Sequence, residues 1–467
     1  MRNVRTLALC VGLTLFASAA LPVTGAAAGA PTDPVPVPVT PILSARRFPG
    51  SLEAATADPD LATALDAYLS RVVGNSCAIV EQDGRIVYTH AEKDVLAPAS
   101  VMKLATAVAA LEILGPDRIL TTTAVAATAP KDGVVDGNLT IVGGGDPLFT
   151  SAGYRAALED PDQFGEDFTK VADAIAAAGV TRINGDIVGD DSRYEPMRWV
   201  PSWPTRYQVG GTVAPLSALL VNDGLTGYAD SPNQPTPNRK AGDPPLLFAQ
   251  TLRTVLKARG IEVTGNASAG PAPSGAHQIA SFDSVPMSQI VSEMLTDSDN
   301  TTAELLAREI GHEVSGQGTT AAGIAAIPSA LQRLGFDTTG LVMNDGSGLD
   351  TGDRMPCALA IALVERVASD PQVGPNLPVA GKTGTLRKRM LNTASTGRVR
   401  AKTGTLNTVN SLAGFADTPQ GNHLTFSFIH NGSDGRGPGV ADGFTDRLMA
   451  YAKGPRIETL GPLPASR

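Results

Sequence analysis

Pro98-Ala99-Ser100-Val101-Met102-Lys103 opens an apolar run that continues to Leu114 and stops at Gly115-Pro116. A marked start and a marked stop predict a helix over 101–114. Three residues along a helix bring a side chain back to nearly the same face, so the Lys103 amine can reach the Ser100 hydroxyl. A serine hydroxyl is a poor nucleophile at neutral pH. A lysine takes its proton only when burial or nearby cations lower the amine's pKa. Val101, Met102, Leu104 and Val108 suit such burial, and the free N–H groups at a helix start favour developing negative charge. Taken alone, the same letters also describe a serine N-cap beside an exposed lysine.

Two further triplets decide between those readings. Ser298-Asp299-Asn300 stands before a helical stretch that begins Thr301-Thr302-Ala303-Glu304. All three residues cap helices well, and a cap explains them singly. As chemistry, Ser298 can relay a proton to a leaving group while Asn300 holds Lys103 and a substrate amide through its carboxamide. Lys402-Thr403-Gly404-Thr405 lies on a predicted strand entering a hairpin. Glycine lets a substrate backbone lie close to the strand, Lys402 offers positive charge for a carboxylate, and Thr403 and Thr405 offer hydroxyls. That set suits a peptide ending in a free carboxylate. Lys382-Thr383-Gly384-Thr385-Leu386 repeats the letters of 402–406. Context favours the later copy, which follows Val399-Arg400-Ala401 and precedes the alternating run 409–416. The earlier one runs into Arg387-Lys388-Arg389-Met390.

Around these motifs the 467-residue chain has room for more than one core, about three by ordinary domain sizes. Apolar content of 42% with 18% charged residues fits a globular protein, and a net charge of −9 without a basic, aromatic-rich block argues against nucleic-acid binding. Arg2, Arg5, the apolar run 7–23 and the small residues up to Ala30 read as a signal peptide over 1–30, with an uncleaved anchor as the alternative. Residues 31–44 form a Pro-rich extended linker. Cys77 and Cys357 remain beyond the leader, either as a disulfide or as two buried thiols. Neither a Cys/His cluster nor His-Glu-x-x-His spacing points to a metal.

Periodicity predicts helices over 54–72, 167–178, 246–258, 287–295, 301–310, 357–368 and 442–452. It predicts strands over 77–81, 85–90, 139–142, 185–188, 399–405, 409–416 and 423–430. Residues 117–278 are rich in Gly, Pro, Asp and Thr, with Trp199, Trp203 and Tyr207 in a loop-rich stretch, and read as one or more inserted domains. Residues 45–116 and 279–455 are expected to form one discontinuous catalytic domain, followed by a tail over 456–467.

In order and separation, the three motifs resemble the penicillin-binding protein and serine β-lactamase superfamily. The long gap between Ser100 and Ser298 narrows the resemblance to the D-alanyl-D-alanine carboxypeptidase/endopeptidase family, the low-molecular-mass class C penicillin-binding proteins. Further matching stretches are Val142-Gly143-Gly144-Gly145-Asp146-Pro147, Gly189-Asp190-Asp191-Ser192, Asp345-Gly346-Ser347-Gly348-Leu349 and Ala401 to Leu406. The resemblance implies an α/β fold of the α+β type, with an antiparallel sheet between helices and inserted domains beside it. It implies acylation of Ser100 by the penultimate D-Ala carbonyl of peptidoglycan stem peptides, hydrolysis of the acyl-enzyme, and acylation by β-lactams. It further implies an oxyanion hole from the Ser100 and Thr405 N–H groups, pocket roles for Asp191 and Leu406, no cofactor, and an exported protein. The family usually has Asp where Thr383 stands, and often Arg where this chain continues Asp350-Thr351. A β-lactamase is the nearest enzymatic rival, but no Glu-x-x-Leu-Asn segment follows Ser100. A wall-binding protein that keeps the pocket without turnover is the other.

Overall fold

The computed structural model describes residues 49–158, 163–209, 211–226, 239–432 and 437–451. The predicted leader over 1–30, the linker over 31–44 and the tail over 456–467 lie outside the described residues.

The two ends of the described chain are drawn together by one antiparallel sheet. Its strands are β1 (Asn75–Gln82), β2 (Arg85–His90), β3 (Val399–Leu406), β4 (Val409–Asp417) and β5 (His423–Asn431), in spatial order β3-β4-β5-β1-β2. β1 pairs with β5 from Asn75↔Asn431 to Gln82↔Leu424, which joins the N-terminal hairpin to the C-terminal strand set. Because side chains alternate along a strand, β4 sends Leu412 to one face and Ala413 to the other. Leu412 packs with Leu61, Leu65 and Phe444 of α1 (Pro49–Leu69) and α7 (Gly439–Leu448). Ala413 joins a larger core built on α2 (Lys103–Ile113), α3 (Met287–Thr296), α4 (Asn300–Ser315), α5 (Thr320–Arg333) and α6 (Cys357–Ala368). The architecture is thus helices, antiparallel sheet, helices, of the α+β type.

Cys77 on β1 and Cys357 at the start of α6 form a disulfide, with Cα atoms 5.9 Å apart. It pins the sheet to the helical layer across 280 residues of chain, a loop closure that constrains the unfolded state.

The intervening region carries its own sheet, in the order Ala267–Ala269, Ile187–Asp190, Leu139–Val142, Thr121–Ala126 and His277–Asp283. Phe149, Phe168 and Phe248 meet edge to face in its core, with centroids 4.9–6.2 Å apart. The strand His277–Asp283 pairs with Thr121–Ala126, so this sheet runs past the boundary expected at 278. The turn at Pro273–Ala276 leads into that strand, but its side chains are mostly exposed or half-buried with no clear alternation, and its pairing partner assigns it. Helix α5 is a second difference: Gly323 and Pro328 interrupt its pattern, yet Thr319 caps it and Ile327, Ala330 and Leu331 anchor it in the core. The inserted strand expected at 185–188 begins instead at Ile187, and the first helix spans Pro49–Leu69 rather than 54–72.

Candidate active site

Ser100 lies in a tight turn, Ala99–Met102, that leads directly into α2. Ala99, the residue before it, has φ +48°, a conformation that costs an L-residue energy and that recurs at functional sites. The local rule of three residues holds, for the Lys103 amine is 2.9 Å from the Ser100 Oγ. The same amine donates to Asn300 Oδ1 at 2.6 Å and to the Ser347 carbonyl at 2.8 Å. Lys103 is wholly buried. Burial lowers its pKa to about 8, against the opposing pull of Asp345, Asp299, Glu304 and Asp353.

The carbonyl that receives Lys103 is itself held from below. Glu304 Oε1 accepts the N–H groups of Gly346 at 3.0 Å and Ser347 at 2.8 Å, while Asp345 Oδ1 accepts those of Ser347 and Gly348. Trp203 of the inserted region closes the arrangement with an N–H to Asp345 Oδ2 at 2.8 Å. Burial, then Asp345, raises the Glu304 pKa to about 8. The motif 345–349 is visible in the sequence, but its role as a floor for Lys103 is not.

The expected cap is present in Ser298-Asp299-Asn300, and the two residues beside it face the two buried lysines. Asp299 caps α4 by accepting the Thr301 N–H at 2.8 Å. That frees its neighbours, and Asn300 turns to Lys103 while its amide donates to the Thr212 carbonyl at 2.7 Å. Ser298, at φ +59°, receives the Lys402 amine at 2.7 Å. Lys402 is buried too, and it also donates to the Thr403 carbonyl at 2.9 Å. Burial, with the like charge of Lys103 nearby, pushes its pKa well below the usual lysine value. Its amine therefore acts on Ser298 rather than standing open in the cleft as the sequence suggested.

β3 lies edge-on to the Ser100 turn. A Cβ on Gly404 would fall 2.6 Å from the Pro98 carbonyl and 3.1 Å from the Ser100 nitrogen, so only glycine permits this approach. Thr405 is exposed one residue on, and Leu406 packs towards Leu349 and Leu216. The earlier Lys-Thr-Gly-Thr copy folds differently: Gly384–Leu386 is a short turn and Lys382 is exposed. It still contributes, because the Thr403 hydroxyl donates to Thr385 Oγ1 at 2.8 Å. Thr385 and Thr212 are neighbours of the motif residues that sequence reasoning missed; Thr385 sits within the repeated letters of 382–386, and Thr212 carries no signal beyond its surroundings. Asp191 stands apart: its carboxylate pairs with Arg198 and accepts the Ser217 hydroxyl at 2.7 Å.

The structure thus brings Ser100, Lys103, Ser298, Asn300, Lys402 and Gly404 to one cleft. A nucleophile, a buried amine beside it and a second hydroxyl backed by a second amine can run an acyl transfer with proton return.

The model of the D-Ala-D-Ala carboxypeptidase 3 (S13) family matches residues 50–236 and 225–444. A D-alanyl-D-alanine carboxypeptidase of Actinomadura sp. is 31% identical over 83% of this chain and 83% of its own length. Carboxypeptidase DacB of Mycolicibacterium smegmatis is 30% identical over 91% of this chain and 89% of its own. The crystal structure of penicillin binding protein 4 from Haemophilus influenzae shares the fold, with a TM-score of 0.67 at 21% identity over 84% of this chain and 98% of that one.

Proposed function

From the premise that this chain belongs to the D-Ala-D-Ala carboxypeptidase 3 (S13) family, we propose that Ser100 is the residue acylated in its reaction. The activity is that of a serine D-Ala-D-Ala carboxypeptidase, a peptide hydrolase. The observation that carries the assignment is the fully buried Lys103 amine 2.9 Å from the Ser100 hydroxyl.

In its neutral form that amine takes the proton as Ser100 Oγ attacks the penultimate D-Ala carbonyl of a stem peptide. The N–H groups of Ser100 and Thr405 receive the developing oxyanion, a reading supported by the close approach of Gly404 to the Ser100 nitrogen. Collapse breaks the C–N bond, and Ser298, backed by Lys402, returns a proton to the departing amine. Water then hydrolyses the ester. Thr403 and Thr405 offer hydroxyls to the terminal carboxylate, and Leu406 borders the rest of the peptide, while Asp191, held by Arg198 and Ser217, stays outside this contact set. A β-lactam presents the same acyl geometry in a ring that cannot leave, so it should trap Ser100.

We propose export to the cell envelope or beyond. The apolar N-terminal segment supports this, as does a disulfide of the kind that persists in oxidising compartments. Labelling with a fluorescent penicillin tests these readings together. The expected outcome is one labelled band, outside the cytoplasm, that disappears in Ser100→Ala. Stoichiometric labelling that survives the substitution rejects the assignment.

A further inference from the structure

A cavity of about 590 Å³ lies between α3, the loop before β3 and the start of β3 itself. Asp297, Thr383, Lys382 and Arg400 line it together with Glu293 and Gln163. Glu293 is only 5% exposed, and its Oε2 finds no hydrogen-bond partner among the described residues. Its other oxygen has only Gln163, at 3.5 Å. An unpartnered buried carboxyl weakens a fold, and a ligand that reaches it removes that penalty.

The position of the cavity says which part of a substrate would reach it. Gly404 abuts Ser100, Lys402 reaches Ser298, and Arg400 lines the cavity. At about 3.3 Å per residue along a strand, Arg400 is roughly 13 Å from Gly404, on the side where the leaving amine regains its proton. A lone D-Ala spans less than about 4 Å, so only a longer leaving group, continuing from that amine, would cover that distance towards Asp297 and Glu293.

We propose that this cavity is the subsite for a carboxylate-bearing peptide leaving group, with Glu293 donating a hydrogen bond to it and Lys382 and Arg400 supplying opposite charge. The inference rests on the proposed role of Ser100. Such a leaving group arises when the D-Ala carbonyl is joined to the side-chain amine of a second stem peptide, as in a cross-link. Ser100 Oγ forms the ester, the amide C–N bond breaks, the second peptide departs as an amine carrying the returned proton, and water later cleaves the ester. Burial, followed by Asp299, Asp297 and Asp223, raises the Glu293 pKa well above the ordinary carboxylate range, which keeps a proton on it to donate.

The test compares kcat/KM for cutting a cross-linked peptide dimer with kcat/KM for releasing D-Ala from a monomeric pentapeptide, using the mature enzyme. The ratio should fall at least about fivefold in Glu293→Met and in Lys382→Glu, with Glu293→Gln between Met and wild type. The Met variant should also melt at a higher temperature, because it removes an unpaired polar atom; an unchanged ratio with a lower melting point would mark Glu293 as merely structural. Lys382 is exposed, so its variant decides the matter if Glu293→Met fails to fold. A ratio unmoved in both, or a wild-type enzyme that releases D-Ala but leaves dimers intact, overturns the subsite. A wild-type enzyme that neither releases D-Ala nor takes penicillin at Ser100 overturns instead the reading beneath it.

Discussion

Residues 382–386 and 402–406 spell the same five letters and do different things. The later copy is a strand paired along its length with β4, its lysine buried against Ser298 and its glycine pressed against the Ser100 turn. The earlier copy is a turn whose lysine faces solvent, and Gly384 has φ +51° where Gly404 is extended. The lesson is that the motif is not its letters. It works where β4 supplies the ladder partner and where Pro98 and Ser298 come within reach.

The sharpest way to break this comparison is to remove each lysine in turn. Lys402→Met should lower D-Ala release by about 10²–10³-fold, the usual scale for losing a proton-transfer or charge-stabilising partner. The same change at Lys382 should cost at least about tenfold less. Equal losses would mean that position along the chain, not the strand, has been misread.

A smaller effect comes from the amine beneath the later copy. As the proposed base, Lys103 acts in its neutral form, and burial lowers its pKa to about 8. The rate of penicillin acylation should therefore rise about tenfold per pH unit below that value and level off above it. A rate that is flat from about pH 6 to about 10, roughly two units either side of that midpoint, or that falls as the amine deprotonates, would exclude Lys103 as the base. The direction is fixed by the sign: acid protonates the amine and removes the base.

The smallest effect probes the Thr403–Thr385 bond between the copies. Thr385→Val deletes the partner of the Thr403 hydroxyl and should raise KM about fivefold, on the scale of one hydrogen bond of roughly 1 kcal/mol. A kcat that falls with KM unchanged would place Thr385 in the chemistry instead.

Several features of the fold and site were legible before any coordinates. Strands β2 and Leu139–Val142 and helix α6 have the bounds that periodicity assigns them. The Ser100–Lys103 contact was legible because three residues of helix are a local ruler. Asp299 as a cap was legible for the same reason. Strand His277–Asp283 and helix α5 were not, since the first is defined by a partner more than a hundred residues away and the second runs through a proline.

What the amino-acid order determined by itself is therefore the short-range part: which residues share a helix face, which segments alternate, and which side chains carry usable chemistry. Tertiary structure alone decided that Lys402 meets Ser298 across 104 residues, and that Cys77 meets Cys357 across 280. It also decided that Lys402 is buried rather than open to substrate, and that Asp191 is engaged by Arg198. The physical reason is range. Backbone geometry relates neighbours a few residues apart, whereas burial and charge pairing depend on whatever the rest of the chain packs around a group.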